Sequence, residues 1–239
     1  MPPLNSLDTW SSRNEWKVEK PKSKCFLIGE GANTEYWYFD SLATRLAKEG
    51  KPELIELKPV ERTEREKNQS SPRKLLEHAV AVINGQANGG EFIKDTDRVV
   101  VVFDVDVFKD DPDGYATLLA DFRTAQIEVA VTYPSFELYL MLHKRGALEA
   151  TILPHKQEIE ENGHAPGCRR RFIEKLASDE LGMNPKTNHH IGDLAANFEI
   201  ALVAETKLNQ DPDLAVGRLT SNVAKTIQGV IEDLSLIHI

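Results

Sequence analysis

Cysteine is scarce in these 239 residues: there are two, Cys25 inside an apolar run and Cys168 beside Arg169. Two thiols in such contexts form no disulfide framework, which points to a reducing, cytoplasmic setting. Long apolar runs are missing as well. No stretch approaches the ~18 residues of a membrane span, and the first twenty residues contain no apolar core of signal-peptide length, so no membrane association is expected. An excess of positive charge is also lacking. Lys+Arg 29 against Asp+Glu 38 leaves a net charge of -9, which excludes a polyanion binder held by bulk charge; any nucleic-acid contact needs a local basic patch or a bridging metal. There is no G-x-x-x-x-G-K-[ST] phosphate loop, no internal repeat and no low-complexity tract. Gly29-Glu30-Gly31 is no substitute, because G-x-G without the later glycine is weak and its glutamate repels phosphate.

What is present is the composition of a globular protein, 41% apolar and 28% charged, long enough for one large domain or a domain with a helical appendage. Val99-Val100-Val101-Val102-Phe103 reads as a strand buried on both faces, as in a parallel sheet covered by helices. Lys24 to Ile28, Leu54 to Val60 and Ile127 to Thr132 read as further strands. The first stops at Gly29-Glu30-Gly31. Between them lie helices capped by Thr34 and closed by Gly50, opened by Ser71-Pro72 and ending near Asn84, spanning Asp113 to Thr124, and started by Pro134-Ser135. Four strands alternating with helices predict an α/β fold with a mainly parallel four-stranded sheet. From Arg145 onward no strand is evident. Helices are expected around Arg170 to Leu181, Asp193 to Leu208 and Thr220 to Asp233. The organisation reads as an N-terminal arm (1–22, with Trp10 and Trp16), a core (23–145), a helical C-terminal extension (146–234) and an unstructured or appended tail (235–239). Glu61 to Ser70 reads as a mobile charged loop.

Sites on open parallel sheets form beyond the carboxyl ends of the strands. That rule brings together Glu30 after the first strand, Asp104 and Asp106 at the end of the third, and Glu137 after the fourth. In an extended chain, residues two apart share a face, so Asp104 and Asp106 project together. Their repulsion raises one pKa unless a cation compensates, and hard oxygen donors suit a Mg²⁺-type ion. Other polar residues have plainer readings. Glu35 favours its helix dipole, Asp110, Asp111 and Asp113 form a solvated turn, His143 packs on the far side of its helix from Glu137, and His189-His190 is an exposed pair. Arg169-Arg170-Arg171 opens a helix and either grips a phosphate backbone or forms a charged outer face.

Gly29-Glu30-Gly31 followed by Thr34-Glu35 and Tyr38-Phe39, then Phe103-Asp104-Val105-Asp106, then Tyr133-Pro134-Ser135-Phe136-Glu137-Leu138 with His143, resembles the RloB family. A weaker echo is Leu219-Thr220-Ser221-Asn222-Val223. That family resembles the wider Toprim-fold group of topoisomerases, primases and overcoming-lysogeny-defect nucleases. The resemblance implies a Toprim-like sheet whose Glu30, Asp104 and Asp106 hold Mg²⁺ or Mn²⁺. The S-x-x-E feature that supplies a further ligand has only an approximate counterpart, since Ser135 and Glu137 are two apart. It also implies a metal-dependent nuclease acting on DNA or RNA within a bacterial anti-phage or restriction-linked system, working with a separately encoded ABC-type ATPase. The competing expectation is a non-catalytic scaffold that binds a partner or a nucleotide signal.

Overall fold

The computed structural model describes residues 23–31, 33–49, 55–60 and 71–236. The expected arm and the charged 61–70 loop lie outside the described residues, as does Gly50. Strands β1 (Ser23–Gly29), β2 (Ile55–Pro59), β3 (Arg98–Asp104) and β4 (Glu128–Tyr133) run parallel, and β5 (Thr220–Ser221) pairs antiparallel with β4. The order is β2-β1-β3-β4-β5. The sheet therefore has five strands rather than the expected four, and the fifth comes from the segment read as purely helical. Two residues are too short for an alternating pattern to register. Asn222 extends this edge with its side chain, accepting from the Val131 amide at 2.6 Å and donating to the Val129 carbonyl at 3.2 Å. That edge is where the Leu219–Val223 echo acts.

The apolar run in β3 is buried on both faces because helices cover both. Val100 and Val102 join one core with Leu27, Tyr38, Phe39 and Leu42, whereas Val99, Val101 and Phe103 join the other with Leu75, Ala79, Leu118 and Phe122. The first layer holds α1 (Thr34–Lys48) and α4 (Phe136–Met141). The second holds α2 (Pro72–Ile83) and α3 (Pro112–Thr124). Asp111 caps α3, its carboxylate accepting from the Gly114 amide at 3.0 Å, so one of the three loop aspartates has a structural task. Thr34 does not cap α1. It is the first helical residue and donates its hydroxyl to the Pro185 carbonyl at 3.1 Å, tying α1 to the later chain.

That later chain continues through α5 (Lys156–Glu161), α6 (Phe172–Leu181), a 3₁₀ stretch His189–Asn197, α7 (Phe198–Glu205) and α8 (Val223–Leu236). The helix expected over 193–208 thus starts as 3₁₀ through Asn197 and ends at Glu205, and the one expected from Thr220 begins only after β5. Helix α8 runs two residues into the expected tail, with Ser235 bonded to the Ile231 carbonyl at 2.7 Å; 237–239 lie outside the described residues. Ile173, Ala177, Ile191, Phe198, Val223, Ile227 and Leu234 share the first core with β1 and β3. One continuous apolar layer therefore crosses the boundary expected near residue 145. Glu205 anchors α8: fully buried, it accepts from the Ser221 hydroxyl at 2.6 Å and the Ala224 and Lys225 amides at 3.1 and 2.9 Å. These are amides that a helix start leaves without intrahelical partners.

Candidate functional site

The strand order reverses between β1 and β3: β2 lies on one side of β1, and β3 opens the other direction. Crevices form at such switch points, beyond the carboxyl ends of the strands. Glu30 leaves β1 with its amide bonded to the Val102 carbonyl at 2.9 Å, and its carboxylate accepts from the Asp104 amide at 2.9 Å. The two adjacent strand ends are thereby latched, and both acids line one cleft of about 360 Å³. The glycines around Glu30 serve close approach. A Cβ on Gly29 would lie 2.8 Å from the Glu35 Cβ, and one on Gly31 would collide with the Glu35 carboxylate, which accepts from the Gly31 amide at 2.9 Å. Glu35 is buried and braces this turn, a task beyond balancing a helix dipole.

Asp106 reaches the cleft by a route other than the expected one. The extended backbone stops at Asp104; Val105 turns helical (φ -96°, ψ -6°) with its amide on the Thr132 carbonyl at 2.9 Å, and Asp106 starts a 3₁₀ turn through Phe108. The two-residue alternation therefore does not govern the pair, although both aspartates line the cleft. Glu137 enters from the first turn of α4, accepting from the Ser135 hydroxyl at 2.6 Å. Thr132, one residue before the end of β4, donates to Asp104 at 2.6 Å.

The remaining wall comes from the C-terminal half, where the Arg169–Arg171 run is the one sequence signal that points to phosphate. Arg171, Asn162, Glu174 and Lys186 all line the cleft. Asn162 ends α5 in the left-handed region (φ 44°), which asparagine tolerates, and folds the chain back so that His164 bridges Arg171. The Arg171 guanidinium bonds the Asn162 carbonyl at 3.2 Å. Of the three consecutive arginines, one thus faces the site, while Arg170 turns to Ser178 at 3.1 Å. The Lys186 ammonium stands 3.8 Å from Glu137 and pairs with Glu174. No spacing rule marks a lysine so far from the acids in sequence.

Burial, then Glu30, Glu35 and Glu137, push the Asp104 carboxyl well above the usual range, against the Thr132 hydrogen bond. Burial also raises Asp106, opposed by Arg171 and Lys186. Partial burial works against the Lys186 charge, but Glu137, Glu174 and Asp104 outweigh it and raise its pKa. The cleft therefore carries concentrated negative charge with two cations at its margin. The donor atoms are hard carboxylate oxygens, suited to Mg²⁺ or Mn²⁺, and Asp104 would be relieved by a cation. As the side chains stand, among the described residues no three His, Cys, Asp or Glu groups are gathered closely enough to hold an ion. Their oxygens are turned to Thr132, the Asp104 amide, Ser135 and Lys186 instead.

His143 lies apart from this chemistry. Its Nδ1 faces the Tyr139 and Leu140 carbonyls at 3.0 and 3.2 Å, so Nδ1 carries the proton and Nε2 accepts from the Tyr38 hydroxyl at 2.8 Å. Tyr139 completes the chain at 2.7 Å from Tyr38. Burial lowers the His143 pKa to about 4. His189 and His190 are exposed, with His190 beside Asp193 at 3.2 Å.

Among the described residues no helix is long and apolar enough to cross a membrane. No curated protein and no solved structure matches the chain. The RloB-like protein family matches residues 25–233, which includes every residue of the cleft, and the chain belongs to that family.

Proposed function

We propose that the protein is a metal-dependent phosphodiesterase of Toprim type that cuts DNA or RNA. The observation that supports this most directly is the meeting of Glu30, Asp104, Asp106 and Glu137, from three strand ends, in one cleft margined by Arg171 and Lys186. Glu30, Asp104, Asp106 and Glu137 would hold Mg²⁺ or Mn²⁺, which when bound supplies Lewis acidity toward water and the phosphoryl group. The chain's own residues have separate tasks. Thr132 and the Asp104 amide fix the orientations of Asp104 and Glu30, and Ser135 fixes Glu137. Arg171 and Lys186 offer positive charge to a phosphodiester that four carboxylates would otherwise repel. Family membership supports a role in bacterial anti-phage or restriction-linked defence alongside a separately encoded ABC-type ATPase.

The test is a cleavage panel of plasmid, single-stranded DNA and tRNA with Mg²⁺ or Mn²⁺, with and without the proposed partner ATPase. Cutting is expected with metal and is abolished in Asp106→Ala, whose melting curve stays cooperative; full activity in that variant overturns the assignment. The dispersal of the carboxylates onto protein partners, with no three gathered for an ion, favours a second reading, a non-catalytic module that binds a partner or nucleotide signal. Metal-induced stabilisation with no cutting of any substrate, even with the ATPase present, would select it.

A further inference from the structure

A second cleft, of about 560 Å³, opens on the other flank of α5. Its walls carry Lys156, Lys207 and Arg218 against a single acid, Glu160, and its floor includes Leu153 and Leu219. The acid is spent internally: Glu160 accepts from the Leu219 amide at 2.9 Å and lies 3.7 Å from Lys156. Lys207 pairs with Glu149 at the surface, both more than half exposed, a contact that competes weakly with an incoming anion. Arg218 is exposed and forms no ion pair among the described residues. On a chain of net charge -9, this is a concave surface of local positive excess.

The two clefts share a wall. Helix α5 contributes Lys156 and Glu160 to the second, and Asn162, directly after it, to the first. The Tyr133 hydroxyl donates to the Glu160 carbonyl at 2.8 Å, and Lys109 bonds the next carbonyl, of Glu161, at 3.1 Å. Glu160 and Asn162, one on each cleft, stand only two residues apart in the chain, a gap that a few nucleotides of single strand cross. The volume suits one or two nucleotides within the cleft, whereas a duplex would have to lie across its mouth. The leucine floor gives a base an apolar surface while the cations meet its phosphates.

We propose that this cleft is a second phosphate-binding subsite, which holds the backbone of a single-stranded nucleic acid whose reacting phosphodiester occupies the acidic cleft. The proposal rests on the nuclease reading and deepens it by naming the substrate form. The test titrates the whole protein with a fluorescein-labelled twelve-nucleotide single strand, DNA and RNA in turn, in EDTA, where no metal can bridge. Binding is expected, and Lys207→Gln/Arg218→Gln should flatten the log-affinity against log-salt slope by about 1.4, at ~0.7 per lost single-strand phosphate contact. That difference is about 25-fold in affinity at 0.1 M salt. Both side chains are exposed, and an unchanged melting temperature shows that the fold is kept. Unchanged affinity and slope in the double variant overturn the proposal and leave the nuclease reading intact. Strand binding that appears only with Mg²⁺ does the same, whereas no binding in either condition overturns both. If AMP binds the wild type as tightly as the strand does, the cleft belongs to free nucleotides and the strand proposal fails.

Discussion

Asp104 is held at a cost to the fold. Its partly buried carboxylate faces Glu30, Glu35 and Glu137, and its pKa is raised, so the folded chain binds that proton more readily than the unfolded chain does. The penalty is absent below the unfolded value of about 4, grows as pH rises towards the folded value, and is constant above it. Asp104→Asn removes the charge and keeps the shape. The amide oxygen can still accept from Thr132, the amide hydrogens gain carboxylates to donate to, and the Glu30 bond is untouched because it uses the backbone amide. Removing the Asp104 charge from beside these three carboxylates at an effective dielectric near 20 relieves on the order of 2 kcal/mol. For a chain of this size that corresponds to a rise of about 4–8 °C in melting temperature. Scanning calorimetry in EDTA at pH 8 and pH 4 reads both the rise and its disappearance in acid. A variant less stable than wild type at pH 8, or a difference that persists at pH 4, refutes the picture of a site that stores electrostatic repulsion.

Glu205→Ala leaves a hydroxyl and the first amides of α8 unsatisfied in the interior, and should cost about 3–5 kcal/mol in urea unfolding; a loss under 1 kcal/mol would show that the anchor is not needed. Burial keeps His143 neutral, its pKa lowered to about 4. Nitrogen-15 NMR should therefore find the Nδ1–H tautomer and no titration between pH 8 and 5.5. Because this folded pKa lies below the unfolded one, His143 withdraws stability as pH falls from about 6.5 towards 4. Gly31→Ala must push the Glu35 carboxylate off the Gly31 amide. If the cleft cuts a phosphodiester as proposed, the variant should lower cleavage at least tenfold with a melting temperature within a few degrees of wild type, and unchanged cleavage would show that the turn needs no glycine there.

The strands, and the acids at their ends, were legible because each announces itself locally. Val99 to Phe103 has no polar residue to turn towards water, so both faces had to be covered, and the two cores divide its side chains odd from even. Glycines that admit Glu35 flank Glu30, and Glu137 follows a proline-serine break. Local rules fail where a contact over long sequence separation replaces them. Thr34 gave up the cap to bond Pro185, 151 residues away. β5 exists because Asn222 reaches back to Val129 and Val131, not because its two residues favour extension. Asp106 left the strand because the Val105 amide found the Thr132 carbonyl.

The same division runs through the site. The acids belong to the parallel sheet, where topology alone brings strand ends together. Arg171 and Lys186 belong to the later chain, where only the turn at Asn162, the Thr34–Pro185 bond and the shared apolar layer bring them to the cleft. A carboxylate cluster alone repels phosphate, and a basic patch alone has no groups to hold a metal. If the cleft acts on a phosphodiester, the C-terminal half is part of the catalytic unit. Truncation near residue 145 would then remove the cations and expose the apolar face of β3 and β4 that α8 covers, losing fold and activity together rather than trimming a regulatory extension.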